Sequence, residues 1–264
     1  MYKSFFGLKE RPFGKTPDPR FLYLAPQYDE ALARLQYAVE EREIAVLTGE
    51  IGCGKTTLSR ALMDQNGRDR MVLVVNPRLT PNQLLRELAL RLELEPRYYR
   101  ADLLDAISDR LLELHQEGSG VVLIVDEAQL IPGKPTFDEL RLLSNFQLDT
   151  VNLIAILLIG QPELRQRLKH PAYAALRQRV GMWYHLAPLS PQETERYAAY
   201  RLEVAGGNSD VFSPAAMRAI YRHTHGIPRL INNLCTNALL TAFGREERPV
   251  TERTVEEAAS ELHP

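Results

Sequence analysis

Gly49-Glu50-Ile51-Gly52-Cys53-Gly54-Lys55-Thr56 constrains this chain more than any other stretch. Its spacing is G-x-x-x-x-G-K-T. An apolar, strand-like run (Ile44–Gly49, IAVLTG) leads into it, and a helical pattern from Thr57 to Met63 follows. In such a strand–turn–helix unit the glycines let backbone N–H groups turn inward around phosphate oxygens. The lysine ammonium reaches the β/γ-phosphates, the threonine hydroxyl binds Mg²⁺, and the helix N-terminus adds partial positive charge. Gly49 through Thr57 are therefore the candidate phosphate-binding residues. Composition argues against accident. With 15 Gly, 6 Lys and 22 Ser plus Thr, independent draws give on the order of 0.002 matches. The chain has 26 Arg, and Lys55 is its single lysine between Lys15 and Lys134. A lysine stands where a planar guanidinium would not fit around one phosphate. The competing reading is a flexible glycine turn.

The rest of the chain extends this unit. Met71–Pro77, Val121–Asp126 and Asn152–Gly160 are further continuous apolar runs, and Gly181–Leu189 is a weaker fifth. Runs without polar alternation suit strands buried on both faces of a parallel sheet. Helical patterns separate them, which predicts an α/β open sheet with right-handed crossovers. Asp29 to Glu41 reads as a helix, with Leu32, Leu35 and Val39 on one stripe. Thr80-Pro81-Asn82-Gln83 and Ser190-Pro191-Gln192-Glu193 read as capping boxes with proline in the first turn. After Leu189 the strands stop. Helices are expected from Pro214, from Pro228 to Phe243 (core positions Ile231, Leu234, Cys235, Ala238, Ala242) and from Thr251 to Leu262. The expected division is an arm, 1–30, packed on the core, an α/β core, 31–189, and an all-helical part, 190–264, with the boundary at Pro188–Pro191.

Composition removes other classes. A net charge of −2 and a pI near 6.3 argue against a polybasic nucleic-acid binder, though not against one local patch. Hydrophobic residues at 45% and charged residues at 25% exclude disorder. The longest uncharged apolar stretch, Thr150 to Pro162, is shorter than the roughly 20 residues a membrane helix needs. Charges in MYKSFFGLKERPF interrupt any signal-peptide core. Cys53 and Cys235 give neither a disulfide framework nor a metal spacing. His223-Thr224-His225 has no Cys or acid at ligand spacing.

Several residues carry candidate chemistry. Val121–Val125 ends in Asp126-Glu127, and adjacent carboxylates at a buried strand end are costly unless they meet a cation. Asp126 suits the Mg²⁺ shell and Glu127 the polarisation of an attacking water. Gln161 follows the fourth strand. It either caps the next helix or reaches the γ-phosphate and its water. From Leu164 to Gln192 there is no acid, while Arg165, Arg167, Lys169, Arg177 and Arg179 occur. This patch could meet a neighbouring subunit's nucleotide, bind nucleic acid, or be a solvated helix face. Arg177 and Arg179 stand just before the fifth strand, where an arginine could act in trans. Arg229 opens a helix, where a cation is electrostatically misplaced unless an anion such as ATP lies near. Cys53 is either a thiol activated by a cationic loop or a small residue that fits. Tyr98-Tyr99 between Arg97 and Arg100 is either an aromatic–basic stacking patch or a surface loop.

With the phosphate loop, Asp126-Glu127, Arg177/Arg179 and Gly226–Arg229 in this order, the chain resembles the AAA+ ATPases. Phe5-Phe6-Gly7-Leu8, Pro12-Phe13, Thr16–Tyr23, Thr48–Thr57, Gly160–Leu164 and Gly226–Asn232 are similar to the ExeA/GspA-type branch, which serves general secretion and pilus biogenesis, and to the TnsC/TniB transposition regulators. The resemblance implies a P-loop NTPase fold: a parallel five-stranded sheet with a C-terminal helical lid. It implies ATP and Mg²⁺ as cofactors, with Walker A at Gly49–Thr56 (metal ligand Thr56), Walker B at Asp126 (metal) and Glu127, sensor 1 at Gln161 and sensor 2 at Arg229. The trans-acting arginine would be Arg179, with Arg177 second. Sensor 1 is more often Asn or Thr across the wider class, so Gln161 departs from it. ExeA-type proteins carry a transmembrane segment and a peptidoglycan-binding region beyond the ATPase part, so a stand-alone member or an ATPase fragment is expected.

The implied function is ATP hydrolysis at subunit interfaces of an ATP-dependent homo-oligomer, ring or filament. It would remodel or assemble a partner in a secretion or pilus system, in the cytoplasm or recruited to the inner membrane by a partner, without direct membrane insertion. Two alternatives are an ATP-switched, DNA-binding transposition regulator and a P-loop kinase. Glu127 and Arg229 speak against the kinase.

Overall fold

The computed structural model describes residues 2–14, 18–95, 97–148 and 151–262. Of the motifs above, Thr16 and Pro17 lie outside the described residues. The chain forms two compact units. One holds Tyr28–Gly49 and Leu58–Leu186. The other holds Met1–Gln27, Glu50–Thr57 and Ala187–Pro264.

The first unit is built on strands β1 (Ile44–Gly49), β2 (Arg70–Val74), β3 (Val121–Val125), β6 (Ile154–Gly160) and β7 (Val180–Leu186). A two-stranded antiparallel hairpin, β4 (Gln147–Leu148) with β5 (Val151–Asn152), precedes β6. The five long strands form one parallel sheet in the order β2-β3-β6-β1-β7. Position explains side-chain choice. The three inner strands β1, β3 and β6 are buried at every residue, which is why they read as unbroken apolar runs. The edge strands β2 and β7 carry exposed or half-buried positions. This is why the fifth run looked weak. It starts one residue earlier than expected and ends at Leu186, and the second run ends at Val74.

The helices before and between these strands are α2 (Pro26–Glu40), α3 (Lys55–Gln65), α4 (Pro81–Arg91), α5 (Arg100–Gln116), α6 (Lys134–Leu143), α7 (Pro162–Lys169) and α8 (Ala174–Arg177), after a first short helix α1 (Tyr2–Phe5). Leu85 and Leu88 of α4, Ile107 of α5 and Phe137 of α6 share a core with Ile156 and Leu158 of β6. Full burial of a leucine or phenylalanine is worth about 1.5–3 kcal/mol. Thr80 caps α4 as expected. Its hydroxyl accepts from the Gln83 N–H at 3.3 Å, and the Gln83 side chain accepts from the Thr80 N–H at 2.9 Å.

The second unit is helical after Leu189, with α9 (Pro191–Val204), α10 (Pro214–Thr224), α11 (Pro228–Gly244) and α12 (Glu252–Leu262). The Ser190 capping box forms, with bonds of 3.2 and 2.8 Å. All five expected core positions of α11 are buried. The N-terminal arm, expected on the α/β core, makes aromatic contacts with helical residues of its own unit. Phe5 packs edge-on against Phe243, Phe13 against Phe212 and Tyr23 against Tyr197. The buried Arg201 donates to the Pro12 carbonyl at 2.6 Å. Among the described residues no helix is long and apolar enough to cross a membrane.

Candidate functional site

Strand register builds the first part of the site. Thr48 pairs with Gly160 and Val125 with Leu158. The carboxyl ends of β1, β3 and β6 therefore finish together, with Gly49, Asp126 and Gln161 at one sheet edge. Open parallel sheets bind their ligands beyond this edge. Gly49 must lack a side chain, because a Cβ there would lie 2.6 Å from the Leu186 carbonyl oxygen. Asp126 is buried, and its N–H donates to the Val74 carbonyl at 3.0 Å. Its Oδ1 accepts from the Glu127 N–H at 2.9 Å. Glu127 has φ 52, in the left-handed region that non-glycine residues rarely occupy. Such strain concentrates at functional positions.

The structure brings Glu127 and Gln161 into contact. Gln161 Nε2 donates to Glu127 Oε2 at 3.2 Å. Gln161 also stands at the N-cap of α7, but its side chain makes no capping bond. The Gln161 side chain thus bonds Glu127 instead of capping α7. Sequence reasoning missed Gln129, which donates to the same Glu127 oxygen at 2.5 Å and accepts from the Gln161 N–H at 3.0 Å. The available signal was its place two residues after Glu127.

The phosphate-loop residues Glu50–Thr57 fall in the helical unit, together with the start of α11. The loop leaves β1 and enters α3 at Lys55. Lys55 is buried, and its ammonium donates to the Glu50 carbonyl at 2.9 Å. Gly52 and Gly54 have φ of +87° and +90°, the conformation that turns successive amides inward. A Cβ on Gly52 would lie 2.7 Å from the Arg229 Cβ, and the Arg229 N–H donates to the Gly52 carbonyl at 3.2 Å. Arg229 itself is exposed. Cys53 is fully buried, and burial pushes its thiol up to about 11, against the opposing pull of Lys55. It is a small residue that fits, and the activated-thiol reading fails.

The basic stretch divides. Arg167 is tied inward: it donates to the carbonyls of Gln129 and Ile131 and lies over the rings of Phe137 and Tyr173. Arg177 donates to the carbonyls of Lys169 and Leu168 at 2.7 and 3.4 Å, satisfying the last turn of α7. Arg179 is exposed, and among the described residues its side chain reaches Ser144 Oγ at 3.5 Å. Elsewhere, Tyr98 and Tyr99 are 80% and 67% exposed, while Arg100 is paired with the buried Glu139 at 2.8 Å. His223 bonds Glu256 at 2.7 Å.

Residues 38–168, which span the phosphate loop, both acids and Gln161, match the family described as AAA domain. General secretion pathway protein A of Aeromonas hydrophila is 41% identical over 270 residues, covering 99% of this chain and 48% of that protein. The chain thus spans about half the length of that relative. Among solved structures, Aeropyrum pernix ORC2 in its ADPNP-ADP complexes superimposes with a TM-score of 0.68 at 20% identity, over 97% of this chain and 72% of that one. Drosophila ORC bound to DNA gives 0.70 at 18% identity, over 96% and 64%. The Thermotoga maritima RuvB Holliday junction branch migration motor gives 0.61 at 18%, over 90% and 70%. At these identities the structures show a shared fold. Residues 38–168 thus carry an AAA domain, and the chain is similar over nearly its whole length to General secretion pathway protein A.

Proposed function

We propose that this chain binds ATP with Mg²⁺ and hydrolyses it, and that it works as an ATP-dependent homo-oligomer, ring or filament, that assembles or remodels a protein partner of a secretion system. The observation that carries the reading is Glu127: a carboxylate at the end of a fully buried strand, in a left-handed backbone conformation, beside Asp126 and oriented by amides. A strained acid in that position suits a group that orients and deprotonates water.

The residues present fit the cofactor. The positive φ of Gly52 and Gly54 shapes a concave run of amides, and no Cβ fills the loop at Gly49, Gly52 or Gly54. Lys55 would hold the β/γ-phosphates, with Gly49–Thr57 supplying amides. Thr56 and Asp126 would supply oxygen ligands to Mg²⁺, which bound would neutralise phosphate charge. Gln161 would orient water with Glu127, and Arg229 would contact the phosphates. Arg179 is the better trans-acting arginine, because Arg177 is occupied by the end of α7.

The secretion context is carried over from the 41%-identical relative, with a cytoplasmic protein recruited to the inner membrane by its partner. The DNA-binding alternative gains little, since Arg167, Arg177 and Arg100 are all engaged within the fold. The test is phosphate release from Mg·ATP by the purified protein, with Glu127→Gln as control. Hydrolysis that survives Glu127→Gln would overturn the reading.

A further inference from the structure

We infer that Gln129 is a positioning residue that docks Glu127 against Gln161 and so sets the acid's orientation for hydrolysis. The inference rests on the ATPase reading above. Gln129 is the middle residue of a single 3-10 turn, Ala128–Leu130, that begins directly after the left-handed Glu127. That reversal puts the side chains of residues 127 and 129 within 2.5 Å of each other.

The orientation of the Gln129 amide is fixed by a donor that cannot flip. The backbone N–H of Gln161 reaches Gln129 Oε1 at 3.0 Å, so Nε2 must be the end that meets Glu127. Both amide donors, from Gln129 and Gln161, converge on Oε2 of the acid. Neither occupies Oε1, the oxygen with which the carboxylate would accept a proton from water. Gln129 thus joins the end of β3 to the end of β6 through two hydrogen bonds, and the Gln161–Glu127 bond closes the triangle.

Two further observations show that the fold makes room for this contact and braces it. A Cβ on Gly160 would lie 2.7 Å from Gln129 Oε1 and 3.0 Å from Leu164 Cδ2, so the last residue of β6 must be bare for Gln129 to reach Gln161. Arg167, one and a half turns into α7, donates to the carbonyls of Gln129 and Ile131 and is held over Phe137 and Tyr173. Helix α7 therefore grips the 128–131 turn near its start, through Gln161, and again through Arg167. Misplacing a reacting group by about 1 Å can cost a hundredfold in rate, which is the scale a lost orienting bond should reach.

The experiment measures steady-state ATP hydrolysis, ATP affinity with a fluorescent analogue, and Tm for the full chain and its variants. Gln129→Met keeps the length and removes the bonds. It should lower kcat about 10- to 100-fold while ATP affinity and Tm stay close to the wild type. Gly160→Ala, which crowds Gln129 and also presses on Leu164, should lower kcat alike and leave ATP affinity unchanged, with some loss of Tm. Wild-type kcat in Gln129→Met overturns the inference, as does a joint fall of kcat, affinity and Tm in both variants, which would mark a folding role. The control Glu127→Gln separates the two levels. Hydrolysis that needs Glu127 but not Gln129 removes only the positioning role. Hydrolysis that needs neither removes the ATPase reading, and this inference with it.

Discussion

The backbone N–H of Arg229 donates to the carbonyl oxygen of Gly52 at 3.2 Å, so the first turn of α11 is bonded to the phosphate loop through the main chain. The contact uses one of the orphan donors of a helix N-terminus. It also requires a bare residue at 52, for reasons of both φ and space. Gly52→Ala should destabilise the protein by about 1–3 kcal/mol, lowering Tm by several degrees, and should weaken ATP binding more than tenfold. Arg229→Ala leaves the main-chain bond in place and removes only the charge. Its Tm should match the wild type while ATP turnover falls about tenfold or more. Calorimetric melts alongside nucleotide titrations would check both, and a Gly52→Ala protein with unchanged affinity would contradict the loop's role.

Lys55 and Glu127 should separate binding from chemistry. Lys55→Ala removes the ammonium that would meet the β/γ-phosphates, and ATP binding should become undetectable at micromolar protein. Glu127→Gln keeps size and hydrogen bonding but loses the base. It should bind ATP normally and hydrolyse it roughly 10²- to 10⁴-fold more slowly, and it should trap the nucleotide-bound oligomer on size-exclusion chromatography.

Much of this was legible in the sequence because it is local. The β1–loop–α3 unit, the caps at Thr80 and Ser190 and the apolar stripe of α11 depend on residues within a turn or two of one another. The place of Asp126 and Glu127 at the end of a buried strand was legible too, because an unbroken apolar run stops at them. What escaped depends on contacts across the chain. Gln129 acts on a residue 32 positions away, and only the pairing of β3 with β6 brings them together. Arg179 was ranked over Arg177 by resemblance alone, and the bond of Arg177 to a carbonyl closing α7 depends on residues eight positions apart. The arm's place with the helical residues follows from a buried Arg201 reaching 189 positions back to Pro12.

Arg179 should act between subunits. Arg179→Ala is expected to bind ATP as the wild type does and to lose at least tenfold in hydrolysis, since a trans arginine contributes of order 10³ or more in related chemistry. Mixed with Lys55→Ala, it should recover part of the activity: a Lys55→Ala subunit still supplies Arg179 to its neighbour's intact site. Arg177→Ala should instead lower Tm, because it leaves the last carbonyls of α7 unpaired. If the mixture stays as inactive as its parts, Arg179 is a surface residue.

The two thiols set a limit at alkaline pH. Burial raises Cys53 from an ordinary value near 9 to about 11, and burial raises Cys235 further. In both cases the folded pKa lies above the unfolded one. The stabilisation is therefore fully present below pH 9 and is lost as pH rises, because the unfolded chain gives up its thiol protons first. Across the window from 9 to 11 Cys53 alone should remove about 3 kcal/mol. Cys53→Ala should flatten that part of the stability–pH curve, measured by urea unfolding at fixed pH steps. Native protein at pH 8 should also react slowly with iodoacetamide at both cysteines, and rapidly once urea opens it. Fast native labelling of Cys53 would mean that the loop is open enough to expose the thiolate, contrary to its burial here.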